Sequence, residues 1–216
     1  MSAAAFLIFD LDGTLSDPAA GIGRSINHAL SAFGYPLLEE TEVSQYIGPP
    51  LDSTFRQLTR SSSHEHVLAL VAKYRERYGD VGYAENVLYP GIPEAVRHLA
   101  AQGFPLGLCT SKRVDFAEKI LTLFGLREFF SVVNGGEVGI GKDHQLRGLI
   151  ADGQVGPAST MIGDRAVDVS AARANRLHSV GVLWGHGSED ELRTAAPDLL
   201  LRLPGQLTSL RPRSPA

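Results

Sequence analysis

The chain has one cysteine, Cys109, among its 216 residues, which excludes an internal disulfide and a thiolate metal cluster. It has no excess of basic charge. The formal net charge is −4, so neither a nucleic-acid footprint nor a polybasic membrane face is expected. Long apolar runs are missing too: the first, Ala3 to Phe9, stops at Asp10, too short for a secretory core or a transmembrane helix. No internal repeat is visible. Histidine supplies no zinc signature, because His64 and His66 stand two apart and no H-E-x-x-H occurs; with His28 they read as surface residues. The remaining balance, 44% apolar and 20% charged, is that of a folded globular chain. We expect a cytoplasmic protein, a monomer or homodimer, with no nucleic-acid or membrane partner.

Short apolar runs alternate with helical patterns. AFLIFD (5–10), PLGLCTS (105–111), FSVVN (130–134), STMIGD (159–164), SVGVL (179–183) and DLLL (198–201) read as strands. Helices are expected over 92–102, 114–124, 144–152 and 166–175. Continuous apolar strands alternating with helices predict a doubly wound parallel α/β sheet, covered on both faces. Residues 17–87 break the rhythm. Asp17-Pro18 reads as a helix start, Ile22, Ile26, Leu30 and Phe33 recur at helical spacing, and Val67, Leu70, Val71 and Tyr74 mark another helix. The expected organisation is an α/β core of 1–16 and 88–216 with a small helical insert at 17–87. The Pro-rich tail from Leu203 is expected to fray.

Four segments carry chemistry. In Asp10-Leu11-Asp12-Gly13-Thr14-Leu15, residues two apart in extended backbone project the same way, so two carboxylates arrive together at a strand's carboxyl end. A calcium loop is excluded, because its sixth position would be Leu15 and its twelfth Gly21. Cys109-Thr110-Ser111-Lys112 puts hydroxyls and N–H groups ahead of a helix, which suits either a phosphate seat or a simple cap. Cys109 itself reads as a core residue rather than a nucleophile, since no glycine-rich cradle follows it. Gly136 to Lys142 spells G-x-x-x-x-G-K, but Asp143 stands where a P-loop needs Ser or Thr. The alternative is a glycine-rich loop that brings Lys142 to the cleft of Asp10. In Gly163-Asp164-Arg165-Ala166-Val167-Asp168, two acids four apart open a helix; with Asp10 and the Asp12 carbonyl they make an all-oxygen set suited to magnesium.

In this order, each after a strand, the four segments resemble the four motifs of the haloacid dehalogenase superfamily. The helical insert, Tyr89-Pro90-Gly91-Ile92, Ile47-Gly48-Pro49-Pro50-Leu51 and Gly181-Val182-Leu183-Trp184-Gly185 are similar to its phosphoglycolate phosphatase subgroup. The resemblance implies a Mg2+-dependent phosphomonoesterase for a small phosphate ester. Asp10 would be the nucleophile and Asp12 the acid and base. Thr110 and Ser111 would hold the phosphoryl oxygens, and Lys142 would offset charge, with Lys112 as its rival. Asp10, Asp12, Asp164 and Asp168 would make up the metal site, Asp168 either joining it or orienting Lys142. The second aspartate argues against dehalogenation, which needs no acid. In the cap, Arg24, Gly48 and Leu51 are candidates for selecting the substrate, Arg24 being equally readable as a solvated surface residue. A nucleotide 5′-phosphatase or a phosphomutase would share this chemistry.

Overall fold

The computed structural model describes residues 4–137 and 139–211; Val138 of the glycine-rich stretch and the end of the tail, 212–216, lie outside it. The chain divides into two compact units, one of residues 1–17 with 88–216 and one of Pro18–Val87.

The larger unit is built on a six-stranded parallel sheet. Its strands are β1 (Leu7–Phe9), β4 (Leu106–Cys109), β5 (Phe130–Asn134), β6 (Thr160–Gly163), β7 (His178–Val182) and β8 (Leu199–Leu201), in the order β5-β4-β1-β6-β7-β8. Two-residue strands β2 (Ser16–Asp17) and β3 (Val87–Leu88) flank the insert. Register runs Leu7 to Leu106 on one side of β1 and Leu7 to Thr160 on the other. The chain builds outward from β1 in one direction and then returns to build in the other, so β1 stands at the switch point where such sheets open a crevice. The helices are α4 (Ile92–Ala101), α5 (Val114–Leu123), α6 (Lys142–Ala151), α7 (Ala166–Ala174) and α8 (Glu189–Ala195).

Both faces of β1 are covered, which explains its unbroken apolar run. Ile8 packs with Leu146 and Leu149 of α6 and Ala171 and Ala172 of α7. On the other face, Phe9 meets Phe130 edge-on at 6.1 Å between centroids. Two elements depart from expectation. Helix α8 was not foreseen: it spans only seven residues, and its signal is a start, Ser188 Oγ accepting from Glu191 N at 3.0 Å. The tail does not fray over its described part. Pro204–Ser209 forms a 3-10 turn, and Leu207 and Leu210 are buried.

The smaller unit holds α1 (Ala19–Ala32), a 3-10 turn at Glu40–Tyr46, α2 (Leu51–Thr59) and α3 (His64–Asp80). Its core is Ile26, Leu30, Phe55, Val67 and Leu70. Phe33, expected on the buried face of α1, is exposed because the helix ends there and the face no longer continues. Asp17, expected as the cap of α1, lies in β2 instead, and no side chain caps that helix. Helix α3 is capped by Ser63 Oγ, which accepts from His66 N at 3.3 Å.

Candidate active site

The first acidic segment leaves β1 still paired to the sheet, Asp10 N donating to Ile162 O at 2.9 Å. The chain then turns at Gly13, whose φ is +82°. A Cβ at Gly13 would lie 2.1 Å from Asp164 Oδ2, so only glycine lets the two segments approach this closely. Asp164 ends β6. Its carboxylate accepts from Thr14 Oγ1 at 3.3 Å and from His186 N at 2.8 Å. Asp168, in the first turn of α7, accepts from Arg165 N at 3.1 Å and from Lys142 Nζ.

Lys142 was expected on a loop, with the helix starting at His144. It is instead the first residue of α6 and is buried. Its Nζ lies between two acids, paired with Asp168 and 2.9 Å from Asp10 Oδ2. Lys112, the rival, goes elsewhere: its Nζ is 2.8 Å from Asp12 Oδ2. Each lysine therefore meets a different carboxylate of the first segment.

One oxygen from each of Asp10, Asp164 and Asp168 lies within 4.8 Å of the others. The Asp12 side chain is not in this group; Lys112 engages it. Four carboxylates thus face two ammonium groups in a largely dry site, so full ionisation of all four would leave two negative charges uncompensated. The proton affinities register this. Burial pushes the Asp164 carboxyl up to about 6, and the charge of Asp10 adds to the rise. Burial likewise raises Asp168 to about 7 against the opposing pull of Lys142. Asp12 is raised by burial, with Lys112 opposing. Burial alone would lower Lys142, but Asp10 and Asp168 outweigh it and hold its ammonium above the ordinary lysine range. A divalent cation with hard oxygen ligands matches both the donor set and the missing charge.

Beside this group, the buried Thr110 directly follows β4. Its N donates to Asn134 O at 3.1 Å, and its Oγ1 accepts from Lys112 N at 3.3 Å. Ser111 is exposed. Cys109 is fully buried, and that burial raises its thiol to about 12, which argues against a thiolate nucleophile.

The larger unit thus gathers Asp10, Asp12, Thr110, Lys142, Asp164 and Asp168 at the carboxyl edge of its sheet. The cap candidates belong to the other unit. There Arg24 Nη1 pairs with Glu85 Oε1 at 2.7 Å, Gly48 is exposed with φ +102°, and Leu51 opens α2. Sequence reasoning missed Thr14, Gln145 and His186. Thr14 and His186 adjoin motif residues but carry no pattern of their own. Gln145 carried one readable signal, its position three residues after Lys142 on the same helix face.

A family model described as haloacid dehalogenase-like hydrolase matches residues 7–182. A 5′-nucleotidase of Pseudomonas aeruginosa is 37% identical over 195 residues, 88% of each chain. A phosphoglycolate phosphatase of Yersinia pestis is 35% identical over 202 residues, 89% of this chain and 87% of that protein. The tyrosine-protein kinase PtkA of Mycobacterium tuberculosis is 37% identical over 188 residues, 85% of this chain and 64% of the kinase. A solved structure described as a predicted phosphatase from Clostridium acetobutylicum superposes with TM-score 0.86 at 31% identity, covering 96% of this chain and 98% of that one.

Proposed function

Because this chain belongs to the haloacid dehalogenase-like hydrolase family and is a phosphoric monoester hydrolase, we propose that it is magnesium-dependent and cleaves a small phosphorylated metabolite through an aspartyl-phosphate at Asp10. The observation that carries this reading is the pairing of acids and lysines: Lys142 beside Asp10 and Lys112 beside Asp12. The two carboxylates of the D-x-D segment thus stand beside different cations, which supports giving them different roles, Asp10 as nucleophile and Asp12 as acid and base.

Asp10, Asp164 and Asp168, with the Asp12 carbonyl, would hold the ion, which when bound offsets charge on the nucleophile and the phosphoryl group. Asp10 attacks phosphorus in line, and the bond from phosphorus to the ester oxygen breaks. Lys142, held above its ordinary proton affinity, stays cationic and draws charge from the attacked group. Asp12, raised by burial, carries a proton to the departing alkoxide. It then takes a proton from the water that cleaves the aspartyl-phosphate, which frees Asp10 and inorganic phosphate. Thr110 and the Ser111 N–H hold the phosphoryl oxygens, and Asp168 keeps Lys142 in place. Arg24, Gly48 and Leu51 in the cap would bear on the choice of leaving group.

The relatives support two substrate classes. Phosphoglycolate phosphatases favour a short acid phosphate such as 2-phosphoglycolate, which we take as the primary reading; the 5′-nucleotidase favours a nucleoside monophosphate. No described helix is long and apolar enough to cross a membrane.

The test is a panel of phosphate monoesters containing both, with magnesium and with chelator. We expect turnover of an aryl phosphate and of one class on the panel with magnesium, and none with chelator. Full activity in excess chelator overturns the metal assignment.

Asp164→Asn separates metal binding from folding. The amide still accepts from His186 N–H and donates to Thr14 Oγ1. In the native chain the Asp164 carboxyl titrates near 6, above its ordinary 3.8, so its charge opposes folding. That penalty is absent below the lower value and complete above the higher, on the order of 3 kcal/mol. In chelator near neutral pH, Asp164→Asn is therefore expected to melt higher than the parent, by roughly 6 to 12 degrees. The gap should shrink toward about pH 4.5 as the parent carboxyl takes up its proton. Magnesium should raise the melting temperature of the parent alone. An equal rise in the variant would remove Asp164 from the metal site.

A further inference from the structure

We propose that Gln145 is a positioning residue that sets the phosphate seat in register with Lys142. The proposal rests on the reading of Thr110 and Ser111 as that seat.

Gln145 stands one turn after Lys142 on α6 and is 7% exposed. Its Nε2 donates twice, to Thr110 O at 3.1 Å and to Asn134 Oδ1 at 2.7 Å. Thr110 N in turn donates to Asn134 O at 3.1 Å. One carboxamide thereby ties together the end of β4, the end of β5 and the helix that carries Lys142. On the far side of the same loop, Gly136 N donates to Lys112 O at 2.8 Å, and a Cβ at Gly136 would lie 2.3 Å from Ser111 O. The loop of Thr110 and Ser111 is therefore fixed on two sides.

Thr110 gains a defined role from this arrangement. Its N–H, its carbonyl and one lone pair of its hydroxyl are all engaged within the protein. The hydroxyl proton is what remains to donate to a phosphoryl oxygen. Its aim depends on where the backbone of Thr110 is held, and Gln145 holds the carbonyl. Packing alone does not account for a glutamine here. Its Oε1 is buried without a hydrogen-bond partner, an arrangement that opposes burial and that a methionine of similar length would avoid. What the glutamine supplies is its two N–H groups, one spent on the seat at Thr110 O and one on Asn134, whose backbone carbonyl also holds Thr110.

The test compares Gln145→Met and Gln145→Glu, each made in a Gly148→Ala background. Gly148 is exposed on the same helix, a Cβ there meets nothing within 4 Å, and alanine strengthens the helix, which keeps both variants folded. The assays, run with magnesium, are kcat and KM on an aryl phosphate, inhibition by inorganic phosphate, and the rise in melting temperature with inorganic phosphate. Loss of one positioned hydrogen bond felt equally by substrate and transition state should raise KM and the phosphate Ki together by about tenfold, with kcat within about threefold of the background chain. The phosphate-induced rise in melting temperature should shrink in parallel.

A merely structural role would lower the melting temperature without moving Ki in the folded fraction. A phosphate Ki within about twofold of the background chain in both folded variants therefore overturns the proposal. So does a fall in kcat with Ki unmoved. A background chain that neither turns over esters nor binds phosphate overturns the phosphate-seat reading itself, and the role of Gln145 falls with it.

Discussion

Asp10→Asn is expected to abolish turnover of every phosphate ester, while Asp12→Asn is expected to discriminate between leaving groups. The amide at position 10 cannot form the aspartyl-phosphate, and it also removes the charge that Lys142 meets at 2.9 Å. At position 12 the nucleophile survives and only the proton donor is lost. An alkyl phosphate should then slow by about a hundred- to ten-thousandfold, the usual worth of general acid–base help. An aryl phosphate, whose leaving group departs unaided, should lose far less. Breakdown of the covalent intermediate should slow as well, because in the proposed mechanism Asp12 also activates the water. Phosphate carried on Asp10 should then build up and appear as added mass on the intact protein. Equal harm to alkyl and aryl esters, with magnesium binding intact, would remove Asp12 from the proton-transfer role.

The second large effect is the inequality of the two lysines. Lys142→Ala should lower kcat by at least about a hundred- to a thousandfold, the scale of losing one preorganised charge-stabilising group. It should also lower the melting temperature near neutral pH, since it leaves Asp10 and Asp168 buried without their counter-charge. Lys112→Ala removes the partner of Asp12 and one brake on its raised proton affinity. Asp12 should then hold its proton more firmly, and the loss should stay near about tenfold, the scale of one hydrogen-bonded partner. Activity should be compared at a temperature where melting curves show both variants folded. If Lys112→Ala is the more damaged of the two, the charge-stabilising role passes to Lys112.

The two results read together with Asp164→Asn test one physical idea. The site gathers four carboxylates around two lysines, and on the proposed reading the chain tolerates that because a cation completes it. Removing a carboxylate should help the metal-free fold and harm catalysis; removing a lysine should harm both. Opposite signs on the same fold would be difficult to obtain from a site whose charges served packing alone.

By itself the sequence determined the α/β alternation, the strand ends that carry the acids, and the helical character of the insert. These are local properties: the apolar run of Leu7 to Phe9, the turn at Gly13 and the periodicity of Ile22, Ile26 and Leu30 are written within a few residues of each other. It was silent on α8, too short to show a period, and misread the described part of the tail. There Leu207 and Leu210 are buried by neighbours that the local pattern does not name. Only the tertiary structure decided which lysine meets which acid. Lys142 and Lys112 follow different strands, and their partners Asp10 and Asp12 follow a third. The order β5-β4-β1-β6 is what brings those strand ends side by side. The same holds for the His186 N–H on Asp164 and for Gln145 on Thr110, contacts between residues 22 and 35 positions apart. Burial, and with it the raised proton affinities of Asp164 and Asp168, also came from the assembled fold. Desolvation belongs to what surrounds a side chain, and no spacing along the chain records it.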